Sequence, residues 1–182
     1  YGVFTNAEGG ILDDLMMTNR GDHMLVVVNA ACKEADIAHM KAGLEGVEVA
    51  EQRDRALLAL QGPAAEGVLE PVAPGCDIMK FMDTGIFNSD FGEIWVSRSG
   101  YTGEDGYEIS VHATHAEALA RHLLAHDAVE PIGLGARDSL RLEGGLCLYG
   151  HDIDEATSPV EGNLAWAIQK VRRSGGDRRT FW

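Results

Sequence analysis

Glycine-centred turns set between short apolar runs constrain this chain more than any other feature. The turns are AEGG at 7–10, NRGD at 19–22 and GYTGEDG at 100–106, and glycine supplies the positive φ that tight hairpins use. Around AEGG, Tyr1 to Asn6 and Ile11 to Thr18 read as paired strands. Val47 to Ala50 and Ala56 to Leu60 read as further strands. Gly85 to Asp90 and Glu93 to Arg98 read as a hairpin turning at Phe91-Gly92. In Tyr107 to Val111, Tyr107, Ile109 and Val111 share one face and leave Glu108 and Ser110 on the other. Met24 to Val28 is apolar without alternation, the pattern of a strand covered on both faces.

Helical segments are fewer. Ile37, Met40 and Leu44 predict one buried stripe on a helix from Cys32 to Leu44. Pro63 suits the first turn of a short helix. Thr114 with Glu117 has the spacing of a capping box ahead of the stripe Ala116, Leu119, Ala120 and Leu123. Ala136, Leu140 and Leu142 predict a helix that carries Arg137 and Arg141 on one side and stops at Gly144 and Gly145. Beyond it lies a loop dense in ionisable groups, His151, Asp152, Asp154 and Glu155, and loops of this kind in compact domains are commonly functional. Strands interrupted by single helices give an α+β class with mainly antiparallel sheets.

The 182 residues are 45% hydrophobic and carry a formal charge of −14, which argues against nonspecific nucleic-acid binding and docking on anionic membranes. Cys32, Cys76 and Cys147 are odd in number and far apart, so neither a disulfide framework nor a CxxC site is expected, and a reducing compartment is. No apolar run approaches bilayer-spanning length, and no charged-then-apolar leader stands at the start. GLGARD lacks the third glycine of a dinucleotide fingerprint, and His122 and His126 in HLLAH lack the neighbouring Glu and third ligand of a zinc site, so no metal is expected.

The stretch GLGARDSLRLEGGLCLYGHDID…TSPVEGNLAW, with NAEGGILDDL, VVNAACKEAD, LLALQGP and GYTGEDGYEIS in the same order, resembles aminomethyltransferase, the T-protein of the glycine cleavage system. That resemblance implies a folate-binding fold with ferredoxin-like subdomains. Residues 1–170 would form a partial core lacking an N-terminal segment and a C-terminal β domain, and 171–182 would be a divergent, disordered tail. Tyr1 without a preceding Met fits a partial chain.

By the resemblance, Asp14 is the catalytic carboxylate near the pterin of tetrahydrofolate, and Glu108 accepts from the pterin donor edge. Arg137 binds substrate, Tyr101 and Tyr1 flank the folate, and Val28 belongs to the same binding set. From the residues alone, Asp13 and Asp14 could be solvated strand carboxylates, Glu108 an exposed acid, and Arg137 a helix-surface partner of Asp138, Arg141 or Glu143.

The implied reaction takes the one-carbon unit from the aminomethylated lipoyl arm of H-protein to tetrahydrofolate, with release of ammonia and no metal. The implied compartment is the cytoplasm for a bacterial protein or the mitochondrial matrix for a eukaryotic one, with the cytoplasm preferred. Two alternatives stay open: the folate domain of a dimethylglycine or sarcosine dehydrogenase or demethylase, and a folate-binding protein without transferase activity.

Overall fold

The computed structural model describes residues 1–170, so the expected tail at 171–182 lies outside the described residues. The chain divides into two compact units: one holds Tyr1–Glu51 and the stretch from Cys147 onward, and the other is Gln52–Leu146. Every pairing between the sheet strands is antiparallel, beside one isolated parallel bridge, Tyr149 with Ile153, and this is the α+β class expected from the sequence.

In the first unit β1 (Gly2–Thr5), β2 (Ile11–Asn19) and β3 (Met24–Val28) form a sheet in that order. The AEGG turn works through two different properties of glycine. Gly9 takes φ 90°, while a Cβ on Gly10 would collide with the Glu155 carbonyl oxygen. Asn6 closes the turn by accepting from the backbone N–H of Glu8 and of Gly10 at 3.1 and 2.8 Å.

Burial alternates along β2, with Ile11, Asp13 and Leu15 buried and Leu12, Asp14 and Met16 partly exposed. The two aspartates therefore point to opposite faces. β3 departs from expectation. It is an edge strand with Met24 55% exposed, because only β2 pairs with it.

Helix α1 (Lys33–Gly43) also differs: its buried residue is Asp36, and Ile37, Met40 and Leu44 are only partly covered. Residues 47–50 form no strand. The acidic loop after residue 147 packs on the β1–β2 hairpin, where the Ile11 N–H donates to the carbonyls of Asp154 and Thr157, both at 3.0 Å. Asp154 closes its own turn on Ala156 and Thr157, so much of this loop's charge serves local geometry.

The second unit carries a sheet in the order β4-β7-β6-β5, built from β4 (Arg55–Gln61), β5 (Thr84–Ser89), β6 (Gly92–Arg98) and β7 (Gly106–His112). Ser89 pairs with Gly92, so the β5–β6 turn residues are Asp90 and Phe91, and Gly92 begins the return strand at φ 82°. Tyr107, Ile109 and Val111 are fully buried with Ile94 and Val96. Helices α2 (Ala65–Leu69) and α3 (Ala116–Leu124) add Val68, Leu69, Leu119 and Leu123 to the same core. Each such side chain contributes roughly 1.5–3 kcal/mol of burial.

Pro63 lies in the turn ahead of α2, which starts at Ala65. The capping box is not formed, because Ala113–His115 is a 3-10 turn in which the His112 side chain accepts from the Thr114 N–H. Helix α4 (Leu134–Glu143) ends at Gly144, with Gly145 at φ 72° just beyond.

Candidate functional site

In the first unit the polar centre forms where β2 passes the end of β3. Asn29 follows Val28, the last residue of β3 and the pairing partner of Leu15, so its side chain meets the β2 aspartates. Its Nδ2 donates to Asp13 Oδ1 at 2.8 Å and to Asp14 Oδ1 at 2.9 Å, and its backbone N–H donates to Asp13 Oδ2 at 3.1 Å. The Tyr1 hydroxyl donates to Asp14 Oδ2 at 3.0 Å, and the Tyr1 ring stacks on Trp166 at 5.1 Å.

Burial pushes the Asp14 carboxyl up from its ordinary range, and the bonds from Tyr1 and Asn29 oppose that. Asp13 is fully buried. Burial, reinforced by Asp13, Asp36 and Asp14, pushes the Cys32 thiol to about 12, which makes it a poor nucleophile at neutral pH.

The second unit gathers Glu108, Arg137 and Tyr101. Glu108 stands on the face of β7 opposite the core, and its side chain is 18% exposed. Arg137, on α4, brings Nη2 within 4.0 Å of Glu108 Oε1 and lays its guanidinium 4.5 Å from the Tyr101 ring centroid. Burial raises the Glu108 carboxyl and Arg137 pulls it back. No hydrogen bond to the Glu108 carboxyl is formed by the described residues, so its acceptor capacity is open.

Tyr101 is placed from two directions. Its N–H donates to Gln61 Oε1 at 2.7 Å, and Gln61 Nε2 donates to the Tyr107 carbonyl at 3.2 Å. The 100–106 turn also packs on the end of α4, where a Cβ on Gly144 would come within 3.0 Å of Gly103 Cα. Arg98 pairs with Glu66 and Asp105 beneath this turn and holds Asp105 below the usual carboxylate range.

The family model of the GCVT N-terminal domain matches residues 1–172. The chain belongs to the GCVT N-terminal domain family. Among relatives, the mitochondrial aminomethyltransferase of Homo sapiens is 50% identical over 185 residues, covering 96% of this chain and 46% of that protein. The probable mitochondrial aminomethyltransferase of Schizosaccharomyces pombe is 46% identical over 180 residues, with the same two shares.

The crystal structure of glycine cleavage system aminomethyltransferase T from Bartonella henselae superposes with a TM-score of 0.83 at 42% identity, covering 92% of this chain and 46% of that one. The chain thus spans about half the length of the curated relatives it matches.

Within this GCVT domain the structure brings Tyr1 to Asp14, and Arg137 to both Glu108 and Tyr101. The Asp14 and Glu108 groups belong to different units; Val28 ends β3 opposite Leu15, and the polar contacts beside it are made by the next residue, Asn29. Three residues escaped the sequence reading: Asn29, Gln61 and Asp36. Asn29 directly after an apolar run, and Gln61 at a strand end before Gly-Pro, were the available signals, since a polar amide there satisfies backbone groups where a ladder ends. Among the described residues no His/Cys/Asp/Glu group could hold a metal ion, and no helix is long and apolar enough to cross a membrane.

Proposed function

We propose that this chain supplies the folate-handling residues of a tetrahydrofolate-dependent aminomethyltransferase of the glycine cleavage system. The observation that carries the reading is Glu108: a largely buried carboxylate with open acceptors, steadied by an arginine that also stacks on tyrosine. The ring N–H and 2-amino group of a pterin form a paired donor edge, which a carboxylate matches with both oxygens. Tyr101 offers a flat apolar face beside it.

Tetrahydrofolate would enter as co-substrate and provide N5 as the nucleophile toward the aminomethyl carbon on the lipoyl arm of H-protein. The carbon forms bonds to N5 and N10 of folate while its bonds to the amine nitrogen and to the lipoyl sulfur break. The two folate N–H protons pass to the leaving amine and thiolate, and the products are 5,10-methylenetetrahydrofolate, ammonia and the dihydrolipoyl arm. The protein's part is positioning. Asp14, oriented by Tyr1 and Asn29, sets a fixed negative charge against the positive charge that develops at the reacting nitrogen and carbon. The cytoplasm of a bacterium or the mitochondrial matrix of a eukaryote is the corresponding compartment.

The test is the complete protein with aminomethylated H-protein, assayed for ammonia release and methylenetetrahydrofolate formation. Asp14→Asn is expected to keep the fold and most folate binding while slowing turnover by roughly 10²-fold or more. Asp13→Asn is expected to show mainly as lost stability, since Asp13 is fully buried and hydrogen-bonded. Equal, small effects at both positions would overturn the assignment.

A further inference from the structure

The Arg137 guanidinium makes no hydrogen bond with the described residues: it lies 4.0 Å from Glu108 Oε1 and 4.5 Å from the Tyr101 ring centroid. Its neighbour on α4, Asp138, is already taken by Arg141, at 2.8 and 2.6 Å. Where the guanidinium stands against Glu108 therefore depends on where the Tyr101 ring stands, because attraction to an aromatic face fixes a side chain only as well as the ring itself is fixed.

What holds Tyr101 is an amide lying over a glycine. The β4–β7 ladder sets Gln61 directly opposite Gly106, on the face of the sheet that carries Glu108 two residues further along β7. A Cβ on Gly106 would stand 2.4 Å from Gln61 Oε1, 2.6 Å from Cδ and 2.7 Å from Nε2, so the whole amide group occupies the space that another residue's side chain would fill. No positive φ asks for glycine at 106; the close approach of Gln61 does. From that seat Oε1 accepts from the Tyr101 N–H at 2.7 Å, and Nε2 donates to the Tyr107 carbonyl at 3.2 Å. One side chain thus ties the residue that bears the ring to the backbone next to Glu108.

We propose that Gln61 and Gly106 are a positioning pair: the amide seated on the bare glycine sets the Tyr101 ring, and through the ring sets Arg137 against Glu108. That the ligand affected is tetrahydrofolate rests on the function proposed above. Neither residue belongs to the Glu108 contact itself, so the effect falls on ligand affinity and on the guanidinium's position in place of the transfer step. The clash at Gly106 meets the end of a flexible side chain, so Gly106→Ala evicts the amide without distorting the strand, where alanine also loses less backbone entropy than glycine. It breaks from one side the contact that Gln61→Ala breaks from the other.

The experiment uses the full-length protein with Gln61→Ala, Gly106→Ala, the two together, and Tyr101→Leu as reference. Ring current from Tyr101 is expected to move the Arg137 side-chain proton resonances upfield, and Tyr101→Leu to abolish that shift. Each single variant should lose most of the shift and raise the dissociation constant for tetrahydrofolate roughly tenfold, the equivalent of one lost hydrogen bond, with kcat at saturation little changed. The double variant should be no worse than Gln61→Ala, because the two substitutions remove one contact.

Retention of the upfield shift in either single variant, or effects that add in the double, overturns the proposal. Should Gln61→Ala fail to fold, Gly106→Ala by itself carries the test. If Tyr101→Leu and Glu108→Gln leave tetrahydrofolate binding intact while both single variants lose the shift, the functional reading fails and the positioning pair stands.

Discussion

The two units solve the same electrostatic problem in opposite ways. Around Asp14 the hydrogen-bonding partners among the described residues are neutral: Tyr1 and Asn29 donate to it, and Asn29 also bridges to Asp13 on the neighbouring position of β2. Around Glu108 there is one carboxylate, few donors and a guanidinium at 4.0 Å. Burial raises the carboxyl in both places, but only beside Arg137 does a positive charge oppose it. A carboxylate without a cation keeps its place through hydrogen-bond direction, so its chemistry depends on geometry and proton count. One with a cation keeps its charge and can offer its oxygens to a ligand.

The largest effect that would break this contrast is at Glu108. Glu108→Gln in the full-length protein should weaken tetrahydrofolate binding by about 1.5–3 kcal/mol, the scale of a charge-assisted hydrogen bond. Calorimetric titration measures it, and an unchanged dissociation constant would make Glu108 a plain surface acid.

Arg137→Lys should come next, at about tenfold in kcat/KM, because an ammonium keeps the charge but loses both the planar fork and the stack on Tyr101. Normal turnover with a slightly lowered Tm would reduce Arg137 to a helix-surface residue.

A smaller, purely thermodynamic difference sharpens the comparison. Asp36 has its folded pKa raised above the ordinary 3.8 to about 7, so between those values the folded state holds a proton that the unfolded state has released. Stability from this group should therefore fall as pH rises through that window, and the fall should level off above the folded value. Denaturant melts from pH 4 to 8 should show a shallower decline in Asp36→Asn, and parallel curves for the two proteins would contradict it.

Much of this could be read from the chain. The alternation in GYEISV placed Tyr107, Ile109 and Val111 inside and Glu108 on the other face because side-chain direction in a strand is a local property. For the same reason Asp13 and Asp14 had to diverge. The stripe of α3 and the glycine stop of α4 were equally local.

Tertiary structure decided what depends on distant partners. Whether β3 is central or an edge depends on how many strands pair with it, which its own apolar run does not encode. The inward face of α1 went to Asp36 in place of the Ile37 stripe, which the helix's own periodicity did not encode. Thr114 lost its capping role because the chain turns once more before α3 begins. Tyr101 owes its place to Gln61, and Asp14 to Asn29, partners far away in sequence. Periodicity fixes which way a side chain points, but the donor or acceptor it meets is set by which elements pack together, and that choice belongs to the folded chain.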